Sequence, residues 1–179
     1  MPKVVVISGT ARPGSNTLKV SKIYLNLLKE LGAEGELLDL NQLPGDLVAS
    51  ILGEKKNEKV EEYAQRFIIP NRYFIIVMPE YNGSFPGLLK VFLDSIHPKF
   101  WNDKYVCLVG VSVGRAGNLR GMEHLTGVLN YLKMHVFHSK LPISVIDKLL
   151  NESGGFSSAE QEKVCREQVK SFLHHIEGR

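Results

Sequence analysis

A doubly wound α/β sandwich, five parallel strands in the order 2-1-3-4-5 with helices on both faces, is the fold this chain predicts. Three observations carry it. Five apolar, strand-length runs alternate with five segments of helical spacing along the chain, the signature of right-handed βα units feeding one sheet. The first run, Val4-Val5-Val6-Ile7, is β-branched without polar alternation, as expected of a strand covered on both sides. No repeat, low-complexity tract or linker interrupts the pattern, so residues 1–179 read as one domain. Five βα units fit the order 2-1-3-4-5 better than the six-stranded dinucleotide arrangement.

Taken in order, the strand Val4–Ile7 runs into a loop from Ser8 to Asn16. A helix follows over Thr17–Leu31, with Leu18, Ile23, Leu27, Leu28 and Leu31 as its stripe, and Gly32 ends it. Glu36–Leu40 is the second strand, and residues 41–54 are irregular. Lys55–Phe67 is a polar helix, Arg72–Met78 the third strand and Pro86–Ile96 the third helix. Trp101 lies in the next loop as a core plug, an interface residue or a ring beside a ligand. Lys104–Val111 is the fourth strand, Met122–Leu132 the fourth helix, His135–Ser139 a short fifth strand and Ser157–Ile176 the last helix. Ser157 or Ser158 can cap that helix, with Glu160 and Glu162 at its favourable end. The last four residues, Ile176-Glu177-Gly178-Arg179, spell a common engineered protease site and are set aside.

Composition narrows the function classes. Hydrophobic content is 44% and charged content 23%, ordinary for a globular protein. A net charge of +3 is too mild for a nucleic-acid binder, and no basic run carries interleaved aromatics. No secretory signal opens the chain, and no apolar run nears the ~20 residues a membrane span needs. The expectation is a cytoplasmic protein with no membrane or nucleic-acid partner. Cys107 and Cys165 form no CxxC, and Cys107 reads as a buried thiol. The six histidines stand at no metal-ligand spacing; His174 and His175 are adjacent and point to different sides of a helix. No metal site is expected.

Three polar, glycine-bearing loops follow strands one, three and four. In a 2-1-3-4-5 sheet they emerge on one side, around the reversal of strand order between strands one and three. The first, Gly9 to Thr17, ends at a helix start, whose free N–H groups suit an anion. Thr10, Ser15, Asn16 and Thr17 add polar side chains and Arg12 adds charge. It is neither a Walker A loop nor a GxGxxG; simple capping by Ser15 or Asn16, with Arg12 solvated, explains it equally well. The second, Met78 to Gly87, sets a carboxylate, a phenol, an amide and a hydroxyl between two prolines and two glycines. That composition gives a shaped loop suited to a flat, polar-edged ligand. The third, Ser112 to Leu119, carries Gly114 and Gly117.

In this order the three loops resemble a known family, the NADPH-dependent FMN reductases. This flavodoxin-like group also includes quinone, azo and chromate reductases. Gly9-Thr10-Ala11-Arg12-Pro13-Gly14-Ser15-Asn16-Thr17 is similar to its G-S-x-R-x-x-S-x-N phosphate loop, with Thr10 keeping the hydroxyl of the first serine. Pro79-Glu80-Tyr81-Asn82-Gly83-Ser84-Phe85-Pro86-Gly87-Leu88-Leu89-Lys90 resembles P-E-Y-N-x-S-x-P-x-x-L-K, the most specific match. Ser112 to Arg120 resembles S-x-G-x-x-G-G-x-R, with Asn118 in place of the second glycine.

The resemblance implies a bound FMN and NADPH or NADH as reductant. A hydride passes to flavin N5, then electrons pass to a second acceptor: flavin, quinone, azo compound, metal oxyanion or oxygen. It implies that Thr10, Arg12, Ser15, Asn16 and Thr17 hold the phosphate. Pro79, Glu80, Tyr81, Asn82 and Gly83 would line the isoalloxazine, and Ser112, Gly114 and Gly117 would lie near its pyrimidine end. No protein group is needed as catalytic base, because the cofactor carries the chemistry; Glu80 then shapes its loop or meets a neighbouring subunit. Lys90 would face solvent or a partner chain. A homodimer or homotetramer is implied, and Arg115 and Arg120 are candidates for reading the nicotinamide nucleotide's 2′-phosphate. Two other readings stand beside this one: an electron carrier of the same fold without nicotinamide turnover, and a flavin-free binding module. The mild positive charge counts against a carrier, since such proteins are usually acidic.

Overall fold

The computed structural model describes residues 2–48 and 57–178. Its sheet is built from β1 (Lys3–Ser8), β2 (Glu34–Asp39), β3 (Tyr73–Pro79), β4 (Tyr105–Val111), β5 (His135–Val136) and β6 (Leu141–Ile143). The strands are parallel in the order β2-β1-β3-β4-β5, as expected, and their order reverses between β1 and β3. The fifth position differs from the expected single strand: β5 and β6 both pair with β4, β5 at Tyr105–Val106 and β6 at Val109–Val111. Between them, His138 to Lys140 leave the ladder, and Gln168 takes the Ser139 carbonyl as a hydrogen-bond acceptor at 2.7 Å.

Alternate residues of the central strands feed two cores, which explains why the strands lack polar alternation. Val5, Ile7, Phe74, Ile76, Met78, Val106 and Leu108 face one layer. That layer holds α2 (Glu58–Tyr63), α3 (Gly87–Asp94) and α4 (Leu119–Tyr131). Val4, Val6, Ile75, Val77, Cys107 and Val109 face the other, under α1 (Asn16–Glu30) and α5 (Ala159–Ile176). Burying a side chain of this kind contributes about 1.5–3 kcal/mol, so the two-sided sheet is the main source of stability. Trp101 is a core plug: it is fully buried between Phe74 and Phe92.

Helix ends follow their sequence signals. Ser158 caps α5 by accepting from Glu160 N, with Glu160 and Glu162 in the first turn. The polar helix expected over Lys55–Phe67 begins at Glu58, where Asn57 caps it, and winds into a π-turn over Ala64–Ile68; Lys55 lies outside the described residues. Lys90 pairs with Asp94 one turn along α3, at 2.7 Å.

Two buried polar arrangements hold the layers in register. Tyr24 on α1 donates to Gln168 on α5 at 2.6 Å, and Gln168 donates to Leu108 O. Lys104, just before β4, donates to the carbonyls of Ile68 and Asn71; burial and then nearby Arg72 push its ammonium below the usual lysine range. Cys107 and Cys165 are both buried, and burial pushes both thiols up.

Candidate active site

The C-terminal ends of β1, β3 and β4 open on one crevice of about 280 Å³. Its walls come from all three glycine-bearing loops. The first loop contributes Thr10, Arg12, Ser15, Asn16 and Thr17; the second contributes Pro79, Glu80 and Tyr81; the third contributes Ser112. Pro13, Gly14 and Val111 also line it, as do Val113 and Ile146, which sequence patterns did not single out. Ile146 arrives through the segment after β6, whose backbone docks on the third loop: Ile146 N donates to Ser112 O and Val145 N to Gly114 O, each at 3.1 Å. Larger grooves exist elsewhere, but this one gathers convergent polar groups at the topological switch point.

In the first loop Ser15 is the N-cap of α1, and its Oγ accepts from Leu18 N at 3.1 Å. The first turn of α1 carries no acidic residue, so its positive end is not neutralised from within. Thr10 is buried; its Oγ1 accepts from Arg12 N at 3.2 Å and lies 2.9 Å from Tyr81 Oη. The Arg12 guanidinium sits 5.6 Å from the centre of the Tyr81 ring. Among the described residues no carboxylate pairs with Arg12. A helix start without acids, an unpaired arginine and several hydroxyls fit a phosphate dianion.

The second loop is a two-residue hairpin. Tyr81 N donates to Ser84 O at 2.9 Å and Ser84 N to Tyr81 O at 3.0 Å. Asn82 and Gly83 between them both have positive φ, 51° and 75°, the conformation for which Asn-Gly is the favoured pair. They form the tip of the turn, outside the crevice walls. Glu80 is held by its backbone, its N–H donating to Val111 O at 3.1 Å.

The third loop wraps around Ser112, whose Oγ accepts from Gly114 N at 2.9 Å. Gly117 lies beneath the loop rather than on the crevice: a side chain there would come within 2.6 Å of Pro142 Cβ and 2.8 Å of its carbonyl carbon. Asn118 is the residue sequence patterns undervalued. It adopts the left-handed conformation, φ 66° and ψ 32°, and is fully buried. Among non-glycine residues asparagine accepts this conformation best, so Asn118 keeps the backbone a glycine would provide. Its Nδ2 also donates to Met78 O at 3.2 Å and Pro79 O at 2.8 Å, tying the third loop to the second. Gly121, one turn on, lets Ser84 approach α4: a side chain there would overlap Asn118 Oδ1 and stand 2.8 Å from Ser84 C.

The profile of the NADPH-dependent FMN reductases matches residues 2–146, most of the chain and every residue of this crevice. The chain belongs to this family. As a member, it is a flavodoxin-like NAD(P)H-dependent oxidoreductase with FMN as cofactor. Among curated proteins, a 2-hydroxy-1,4-benzoquinone reductase from Burkholderia sp is 34% identical over 99% of this chain and 97% of its own length. An FMN-dependent NADPH-azoreductase from Staphylococcus aureus is 24% identical over 97% and 96%. Among solved structures, the flavoenzyme NAD(P)H:(acceptor) oxidoreductase FerB from Paracoccus denitrificans superimposes with a TM-score of 0.80. It is 24% identical and covers 97% of this chain and 96% of its own.

Proposed function

We propose that this FMN reductase family member uses quinones as its second electron acceptor, with azo compounds as slower substrates. The reading is supported by the quinone reductase being the more similar of the two named curated relatives, 34% against 24% identity over nearly the full chain. The observation that carries flavin binding itself is the convergence of three loops on one crevice with an unpaired arginine at a helix start.

In this proposal Thr10, Arg12, Ser15, Asn16 and Thr17 hold the FMN phosphate. Pro79, Glu80 and Tyr81 line the isoalloxazine, with the Asn82-Gly83 turn at its edge. Ser112 and Gly114 face the pyrimidine end, while Gly117 supports their loop from below. Bound FMN would supply the redox chemistry, taking a hydride from reduced nicotinamide and passing electrons to the acceptor. The chain's residues would orient the ring, and backbone N–H donors of the second loop would favour negative charge on its reduced form. Glu80 keeps its loop-shaping role, consistent with its backbone bond to Val111.

The same proposal takes residues 1–179 as one FMN-binding domain, cytoplasmic and without a nucleic-acid partner. It assigns a homodimer or homotetramer. Among the described residues no helix is long and apolar enough to cross a membrane. An apolar groove of about 560 Å³ between α3 and α4, rimmed by the 85% exposed Tyr131, favours self-association.

One spectrum tests the core of this. The protein is incubated with FMN, desalted, reduced with NADPH without oxygen and then given benzoquinone. Retained flavin bands that bleach with NADPH and return with the quinone are expected. A desalted protein without flavin absorbance overturns the reading, and bands that bleach but stay bleached with quinone overturn the acceptor.

A further inference from the structure

Ser84 sits in the second loop yet takes no part in the crevice wall. Its Oγ lies 3.0 Å from Nδ1 of His124, on α4. Asn118, Gly121 and His124 are spaced three apart and lie on one side of that helix. Each meets the second loop. Asn118 bonds Met78 O and Pro79 O, Gly121 makes room for the Ser84 backbone, and His124 meets the Ser84 hydroxyl. We propose that His124 is a positioning residue: through Ser84 it sets the Tyr81–Ser84 hairpin, so that the protonation state of its ring alters the Asn82-Gly83 turn and the affinity for FMN. This rests on the flavin reading of the crevice.

The physical argument is the polarity of one hydrogen bond. Histidine is the side chain that changes charge between pH 5 and 8. A neutral ring can accept the Ser84 proton at Nδ1, whereas an imidazolium can only donate. In the neutral tautomer with its proton on Nε2, Nδ1 accepts from Ser84, and protonation then makes Ser84 turn its O–H away from the ring and accept instead. Ser84 is itself the closing residue of the hairpin, bonded both ways to Tyr81. A change at its side chain therefore acts on a turn only two residues long.

The ring is exposed to solvent, and among the described residues Ser84 Oγ is its hydrogen-bond partner. On α4, Glu123 is engaged by Lys140 at 2.6 Å. Across the groove on α3, Asp94 is engaged by Lys90 at 2.7 Å. Arg120 reaches the other side of the loop, its Nη1 3.5 Å from where a Gly83 side chain would begin. Glu80 stands on the crevice wall. Both acids are thus engaged by lysines in the structure, and Ser84 is the partner the ring meets.

The test uses the protein with and without flavin. In flavin-free protein, the backbone amide signals of Asn82 and Gly83 are followed by NMR from pH 5 to 8.5 beside the ring signals of His124. All should titrate with one midpoint in the wild type. The two amides should lose that midpoint in His124→Gln and in Ser84→Ala, and regain it in Ser84→Thr, which restores the hydroxyl. Separately, the FMN dissociation constant should change about three- to tenfold across the same range in the wild type, the span one hydrogen bond can deliver. It should be flat in His124→Gln and Ser84→Ala. Amides that ignore the ring, or that follow it equally in Ser84→Ala, overturn the proposal. A wild type that takes up no FMN overturns the flavin reading instead, and the amide titration still decides whether His124 governs the turn.

Discussion

Thr10 Oγ1 and Tyr81 Oη meet at 2.9 Å across 71 residues of chain, and their contact joins the first loop to the second. Each hydroxyl is placed by a different strand, β1 or β3, so the pair fixes the relative position of two crevice walls. Tyr81→Phe should weaken FMN binding about fivefold, the worth of one such bond, and Thr10→Val, which also loses the bond from Arg12 N, by more. The double variant should be no weaker than the worse single one, because both remove the same interaction. Flavin fluorescence titrations of the four proteins check it, and additive losses would show that the hydroxyls act separately.

Nucleotide choice has a candidate in Arg120. It lies beside the Gly83 turn and, among the described residues, pairs with no carboxylate. Arg115 is exposed in the third loop. Arg120→Ala should lower kcat/KM for NADPH about tenfold while sparing NADH, since a phosphate contact to arginine is charge-assisted. Arg115→Ala should have the smaller effect. Unchanged NADPH-to-NADH ratios in both variants would remove arginines of this loop from the question.

Gly121 has no room for a side chain. A methyl group would overlap Asn118 Oδ1 and press on Ser84 C, both within the fully formed loop bed. Gly121→Ala should cost about 1–3 kcal/mol in urea unfolding, the usual range for overpacking, and should also loosen FMN. Equal stability with intact FMN binding would mean that the bed gives way without consequence.

Acid stability has a local source in Glu36 on β2. Burial alone would raise its carboxyl, but hydrogen bonds from Lys3 and Arg66, each at 2.8 Å, outweigh that and hold it below its ordinary value near 4.5. A depressed carboxyl stabilises the fold above its unfolded value and loses that contribution as pH falls through the folded one. Glu36→Gln should therefore be less stable than wild type at neutral pH, and the gap should close as pH drops below about 4.5. Urea midpoints measured at several pH values check it; a gap independent of pH would assign the loss to packing.

Much of this architecture was legible from residue order. Strand order followed from counting βα units, and the crevice followed from which loops were polar. Nine of the thirteen residues singled out line it, because loop composition reports on exposure to a ligand. The tip residues Asn82 and Gly83, and Gly114, stand beside the wall, and Gly117 supports from below. What stayed hidden depends on contacts distant in sequence. The bonds of Asn118 to Met78 and Pro79 span about forty residues and leave no periodic trace. The division of the fifth strand coincides with a bond from Gln168 on α5 to the Ser139 carbonyl, a contact 29 residues apart in the chain. Ile146 reaches the crevice through backbone bonds, to which side-chain patterns are blind.

The two buried thiols bear on survival during turnover. When oxygen takes electrons from a reduced flavin, peroxide is released beside the protein that made it. Peroxide attacks thiolates, not thiols. Cys107 within β4 and Cys165 on the buried side of α5 are shielded and kept protonated by burial. Neither is the low-pKa, accessible sulfur that oxidants select. Idling in air should therefore leave the polypeptide chemically intact, and any wear should fall first on exposed side chains around the crevice.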